Sequence, residues 1–234
     1  MNLNNYYLSL VILLIIIFKT AFKNGKPSCN NYITNTYLYV LFMLLFFITC
    51  ILQLNKINFN IEKYGSFVSI GCILLLLFIV FSLSTMDKTK YIQKHILWIL
   101  FIILLAMISN HAYEYISKED LHSVMLKLIG IVSILTFVSF TYPNLINMKI
   151  MPYFLLALII IIISQIIDKV FFKNRNEKMF NYIILFVFSY FLLYDTKNIL
   201  IKSKSCKFPD YTMESSGLFL DIINMFQSLV NLES

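Results

Sequence analysis

FSYFLLYDTKNIL (residues 188–200) and SSGLFLDIINMF (residues 215–226) each carry one aspartate, Asp195 and Asp221, within or at the edge of an apolar run. An ionised carboxylate in hydrocarbon costs several kcal/mol unless a partner, water or a proton relieves it. Acids kept in such places are functional candidates by default. Most other acids of the chain fall between its apolar runs, so these two stand apart.

Outward from this pair, the chain reads as a series of apolar windows. A helix crosses about 30 Å of hydrocarbon with about 20 residues. Windows of that order are Tyr6–Phe18, Tyr37–Leu54, Ser66–Leu83, His95–Ser109, Val124–Tyr142, Tyr153–Ile167 and Phe180–Tyr194, with a semi-apolar eighth at Met213–Leu232. Pro143 closes the fifth, and Pro152 opens a sixth that Asp168 is expected to close. The fold class this predicts is all-α: a polytopic membrane bundle of eight crossing helices with no separate soluble domain. Residues 1–36 form an anchor helix and its loop, and residues 37–234 form the main membrane domain. The run Tyr6–Phe18 lacks the basic n-region and small-residue cleavage site of a signal peptide, so a retained anchor is expected.

Composition agrees. The 234 residues are 59% hydrophobic and 13% charged, and the mean hydropathy is +0.79. Only 5 Gly and 4 Pro interrupt the chain, which lets long helices run. The formal net charge of +7 is dispersed among connections. It therefore reads as a topology signal and an attraction to anionic lipid, not as a nucleic-acid surface. Lysines 19, 23, 26, 88, 90, 94, 149, 197, 202, 204 and 207 fall after odd-numbered segments and outnumber the basic residues of the alternate connections. The positive-inside rule puts that first set in the cytosol. Cys29, Cys50, Cys72 and Cys206 show no metal-ligand spacing and no Cys-x-x-Cys pair, so neither zinc nor a disulfide framework is expected.

In the last segment Asp221, Asn224, Ser228 and Asn231 recur at spacings of three, four and three, with Gln227 beside them. On a helix they make one polar stripe. Such a stripe suits a bundle interior or a helix lying on the membrane surface. Set antiparallel to the preceding helix, it would bring Asp221 to a depth similar to that of Asp195. Two carboxyls within hydrogen-bonding distance cannot both ionise cheaply, so the pair would share a proton, and its loss would push the helices apart. The alternative is that Asp195 ends its helix in headgroup water near Lys197 and Lys202. Tyr190 and Tyr194 are placed to hydrogen-bond Asp195. Glu214 is read first as a cap of the last helix and second as a cation oxygen at the cytosolic mouth. His95, His111 and His122, at helix ends, are read as headgroup contacts, and Lys127 as a snorkelling side chain. No nucleophile, P-loop or metalloprotease motif is present, so the chain is read as no enzyme, without cofactor.

LLYDTKNIL (192–200), followed by PDYTMESSGLFLDIINMF (209–226), resembles the end of the Bax inhibitor-1-like family, the transmembrane BAX inhibitor motif proteins. The likeness lies in a Tyr-Asp-Thr near the end of one helix, an Asp-Tyr in the connection, and a Leu-Phe-Leu-Asp-hydrophobic-Ile-Asn pattern in the next. It implies a seven-helix bundle made from the second to eighth segments, preceded by one additional N-terminal helix. It also implies a pH-regulated calcium leak, suppression of cell death, and a sensor formed by Asp195 and Asp221, with Asn224 and calcium close by. The partners implied are the lipid bilayer, calcium ions and other membrane proteins. The membrane implied is the endoplasmic reticulum or Golgi for a eukaryotic or viral chain, and the plasma membrane for a bacterial one. Family members often carry a basic residue and a glutamate in the early helices, whereas Tyr37–Leu54 and Ser66–Leu83 contain neither. That departure leaves a second expectation open: a non-conducting scaffold, for instance a viral or organellar component, that keeps the fold.

Overall fold

The computed structural model describes residues 3–114, 118–171 and 176–233. Among the described residues eight α-helices follow one another: α1 (Leu3–Ala21), α2 (Tyr32–Lys56), α3 (Ser66–Thr85), α4 (Tyr91–Glu114), α5 (Lys118–Thr141), α6 (Met151–Phe171), α7 (Glu177–Lys204) and α8 (Tyr211–Glu233). Six of them, α2 to α7, are long and apolar enough to cross a membrane. The chain is thus an all-α, integral, multi-pass membrane protein. Eight crossings were expected. The two that differ are α1, whose apolar helix Asn5–Ala21 is shorter, and α8, whose polar stripe dilutes its apolar character.

Between α1 and α2 lies the one β element among the described residues, a hairpin of β1 (Phe22–Lys23) and β2 (Lys26–Pro27) with Lys23 opposite Lys26. Its turn is Asn24-Gly25, both with positive φ, 53° and 74°. Asparagine and glycine are the residues that enter that region at least cost, which is why this dipeptide makes two-residue hairpins. α6 runs on to Phe171 and does not stop at Asp168 as expected. Asp168 is buried, and its two oxygens accept from the side-chain and backbone nitrogens of Asn176 at 2.8 and 3.1 Å, so its charge is satisfied within the fold.

The chain divides into two compact units, Met1–Tyr115 with Lys202–Phe219, and Ile116–Ile201 with Leu220–Ser234. In the first, α2 packs on α1 and α4, and α3 packs on α4. Its core joins Tyr39, Met43 and Phe47 of α2 to Trp98, Phe101 and Ile102 of α4 and to Phe219 of α8. Trp98 donates its indole N–H to the Met43 sulfur at 3.2 Å. The Phe219 ring meets Phe47 and Phe101 edge-on at 5.6 and 6.2 Å and is fully buried. By contrast α3 leaves Phe67, Leu74, Phe78 and Phe81 exposed, as a lipid-facing helix does. In hydrocarbon, such packing stabilises through dispersion and shape and not through release of water. Phe219→Ala should therefore cost about 3 kcal/mol, read as a lowered unfolding midpoint in detergent. Phe67→Ala, 91% exposed in the folded chain, is the control and should stay within about 0.5 kcal/mol of wild type. Equal losses at both positions would overturn this placement of the core.

In the second unit, Ser139 of α5 donates to the Leu193 carbonyl of α7 at 3.3 Å, and Phe154 of α6 stacks on Tyr190 of α7 at 3.9 Å. Lys197 of α7 donates to the Ile146 carbonyl at 2.7 Å, which stitches the α5–α6 connection to α7. Lys127 of α5 pairs with Glu233 at the end of α8, a partner more specific than the interface expected for it.

Candidate functional site

Asp221 lies in the second unit with 5% of its surface exposed, and its Oδ2 has no hydrogen-bond partner. Asp195, half-buried on α7 in the same unit, is close enough to act on it electrostatically. Along α8 the stripe is satisfied largely by backbone. Asn224 Nδ2 donates to the Leu220 carbonyl at 2.7 Å, and Ser228 Oγ donates to the Asn224 carbonyl at 2.9 Å. Asn231 Nδ2 reaches Asn181 Oδ1 on α7 at 3.4 Å. From Tyr211 to Val230 every residue of α8 is buried or half-buried, so α8 is an interior helix; the surface-helix alternative does not hold.

Of the supporting residues, Tyr194 is half-buried next to Asp195 in sequence. Tyr190 turns elsewhere and donates to the Asn147 carbonyl at 2.7 Å, because its ring is fixed against Phe154. Glu214 belongs to the first unit. Its Oε1 accepts from Lys202 Nζ at 2.6 Å, and the cap of α8 is Asp210, whose Oδ1 accepts from Met213 N at 3.3 Å and Thr212 Oγ1 at 3.0 Å. Glu214 stands in the first turn of α8, where its charge suits the helix dipole, one turn after the residue that caps the helix by hydrogen bonds.

The first unit contains a polar cluster that the sequence reading missed. Lys94, counted among loop lysines, sits in the first turn of α4 with 2% side-chain exposure. It meets Asp210 Oδ2 at 2.5 Å and donates to the Met86 carbonyl at 3.4 Å. Tyr211 donates to the Ser28 carbonyl at 2.5 Å, and Asn35 Nδ2 bonds the Tyr211 hydroxyl, the Thr20 carbonyl and the Asn30 carbonyl at 3.3, 3.1 and 2.8 Å. His95, expected among headgroups, points inward. Its Nδ1 donates to the Tyr91 carbonyl at 2.6 Å, which leaves Nε2 to accept from the Tyr39 hydroxyl at 2.8 Å. His122 is exposed; the side chains of His111 and Glu114 lie outside the described residues, as do Lys173 and Arg175. Between α3 and α4, the Thr89 backbone N–H and hydroxyl both donate to exposed Asp87 and hold its carboxyl below the ordinary carboxylate value.

A disulfide joins Cys29 to Cys206 across 177 residues of sequence, with a Cα–Cα distance of 5.9 Å. This corrects the expectation of no disulfide: spacing along the chain carries no sign that the α1–α2 and α7–α8 connections meet. Cys50 and Cys72 are free and sit in helices.

No curated protein and no solved structure matches the chain. A family model described as inhibitor of apoptosis-promoting Bax1 matches residues 29–232, a stretch that takes in α2 to α7 and all but the last residue of α8. On that match, and on the acids of α7 and α8 that carried the resemblance, the chain belongs to the Bax inhibitor-1-like family.

Proposed function

We propose that the chain is a pH-regulated calcium-leak protein, with Asp195 and Asp221 sharing the proton that sets its closed–open equilibrium. The observation that carries this reading is Asp221 itself: a buried carboxyl, one oxygen without a partner, in the same compact unit as a second carboxyl on the preceding helix. Two such groups favour a state that holds at least one proton, and deprotonation adds like-charge repulsion across α7 and α8. The reading assigns no catalytic step and no cofactor; calcium is the ion moved. A restraint on cell death, and residence in the endoplasmic reticulum, Golgi or bacterial plasma membrane, belong to the same proposal by way of the family.

The test is calcium flux in proteoliposomes from about pH 5 to about pH 8, a window that brackets physiological pH. Wild type should leak in a pH-dependent manner, and the Asp195→Asn/Asp221→Asn double variant should leak at a rate that no longer follows pH. An unchanged pH profile in the double variant rules the sensor out. A second reading, a non-conducting scaffold, is favoured by the absence of any acid or base within α3 and of any but the terminal Lys56 in α2. Folded protein that passes no calcium at any pH would select it.

A further inference from the structure

We propose that Cys29–Cys206 is a thiol–disulfide exchange site, a covalent clasp opened by a cytosolic thiol reductant, which regulates the two helices that carry the acids. Three connections converge on it within the first unit. Tyr91, at the start of α4, donates to the Gly25 carbonyl of the hairpin at 3.0 Å. Lys94 ties the Met86 carbonyl to Asp210, and the disulfide ties the α1–α2 connection to the α7–α8 connection. These connections are rich in lysine, with Lys23, Lys26, Lys88, Lys90, Lys204 and Lys207 all exposed.

The positive-inside rule assigns this end of the unit to the cytosol. Disulfides there are held reduced by glutathione and thioredoxin unless they serve a redox or catalytic purpose. A bond in that position is therefore a reversible one. Its surroundings fit exchange. Both cysteines are half-buried and not sealed, and the exposed Lys204 and Lys207 flank Cys206. Positive charge stabilises a departing thiolate and draws an anionic thiol. The reductant thiolate attacks Cys29 Sγ, the S–S bond breaks, and Cys206 leaves as the thiolate. A second reductant thiol then resolves the mixed disulfide. Two electrons pass from the reductant, which becomes a disulfide, and the chain gains two thiols. Opening frees the short connection that joins α7 to α8, the helices of Asp195 and Asp221. The effect on calcium rests on the function proposed above; the clasp does not.

The test uses the full chain in proteoliposomes on a Cys50→Ser/Cys72→Ser background, probed with a polyethylene-glycol maleimide, trypsin and calcium flux. Protein as isolated should resist the maleimide. In a glutathione buffer at the cytosolic ratio it should take up two adducts, and cleavage at Lys204 and Lys207 should accelerate roughly tenfold while exposed Lys63 is cut as before. The Cys29→Ser/Cys206→Ser variant should match the reduced protein; if that variant does not fold, the reduced protein alone decides. A bond absent at isolation, one that survives the buffer, or equal cleavage in both states overturns the clasp. Reduction should also shift the pH profile of flux. Flux silent in both states, with adducts and cleavage as expected, sinks the calcium reading and upholds the clasp.

Discussion

Lys94→Met should destabilise the protein by about 3–5 kcal/mol, the largest loss expected from any single substitution outside the apolar core. With Lys94 removed, Asp210 stays buried, at 7% side-chain exposure, with Thr212 and Met213 as donors but no opposing charge. The size of the effect comes from that stranded carboxylate and not from the worth of the pair. Replacing both members by neutral groups should therefore recover most of the loss. Lys94→Met/Asp210→Asn keeps the cap of α8, since an asparagine oxygen accepts from Met213 N as the carboxylate does. The control is Lys127→Met, which breaks a pair with 49% and 28% side-chain exposure. Exposed pairs contribute about 0–1 kcal/mol. Unfolding midpoints in detergent read all three; a Lys94→Met loss no greater than that of Lys127→Met would sink the argument.

The second large effect has the opposite sign. Asp221→Leu should raise stability by about 1–3 kcal/mol, because it removes a buried oxygen that has no partner and fills the same space with methyl groups. The same substitution should flatten the pH response of calcium flux. A stabilising change that abolishes regulation is the mark of a group retained for function at the expense of the fold. Asp168→Leu makes the comparison sharp. That acid is as buried as Asp221, yet both of its oxygens accept hydrogen bonds, so its loss should destabilise. If Asp221→Leu and Asp168→Leu move the midpoint in the same direction, partner satisfaction does not distinguish the two acids.

The sequence made Asp195 and Asp221 visible because a charge stands out against an apolar run, and the period of α8 placed Asn224 and Ser228 on the same face. It also separated the helices, since charge, proline or a polar run interrupts the chain between apolar windows. It could not show Lys94 meeting Asp210, because the partners are 116 residues apart and a lysine at a helix start looks like any other loop lysine. Cys29 and Cys206 were obscure for the same reason: only the packing of α1, α2 and the start of α8 brings their connections together. His95 was misread because an aromatic cage of Phe22, Tyr39 and Trp98 gives an interfacial histidine an interior. Local pattern revealed elements and misfit charges; partners depended on topology.

The length of α7 bears on how protons would reach the proposed Asp195–Asp221 pair. Its 28 residues rise about 42 Å, some 12 Å more than the hydrocarbon of a typical bilayer. The surplus must be taken up by tilt or by overhang. Lys197, Lys202 and Lys204 favour overhang at the C-terminal end, and Asp195 lies about 13 Å below Lys204 along the axis. An overhang of that extent brings Asp195 to the waterline while Asp221 stays enclosed. One acid would then trade protons with the aqueous phase and relay them inward, and the thickness of the host membrane would set how readily it does so.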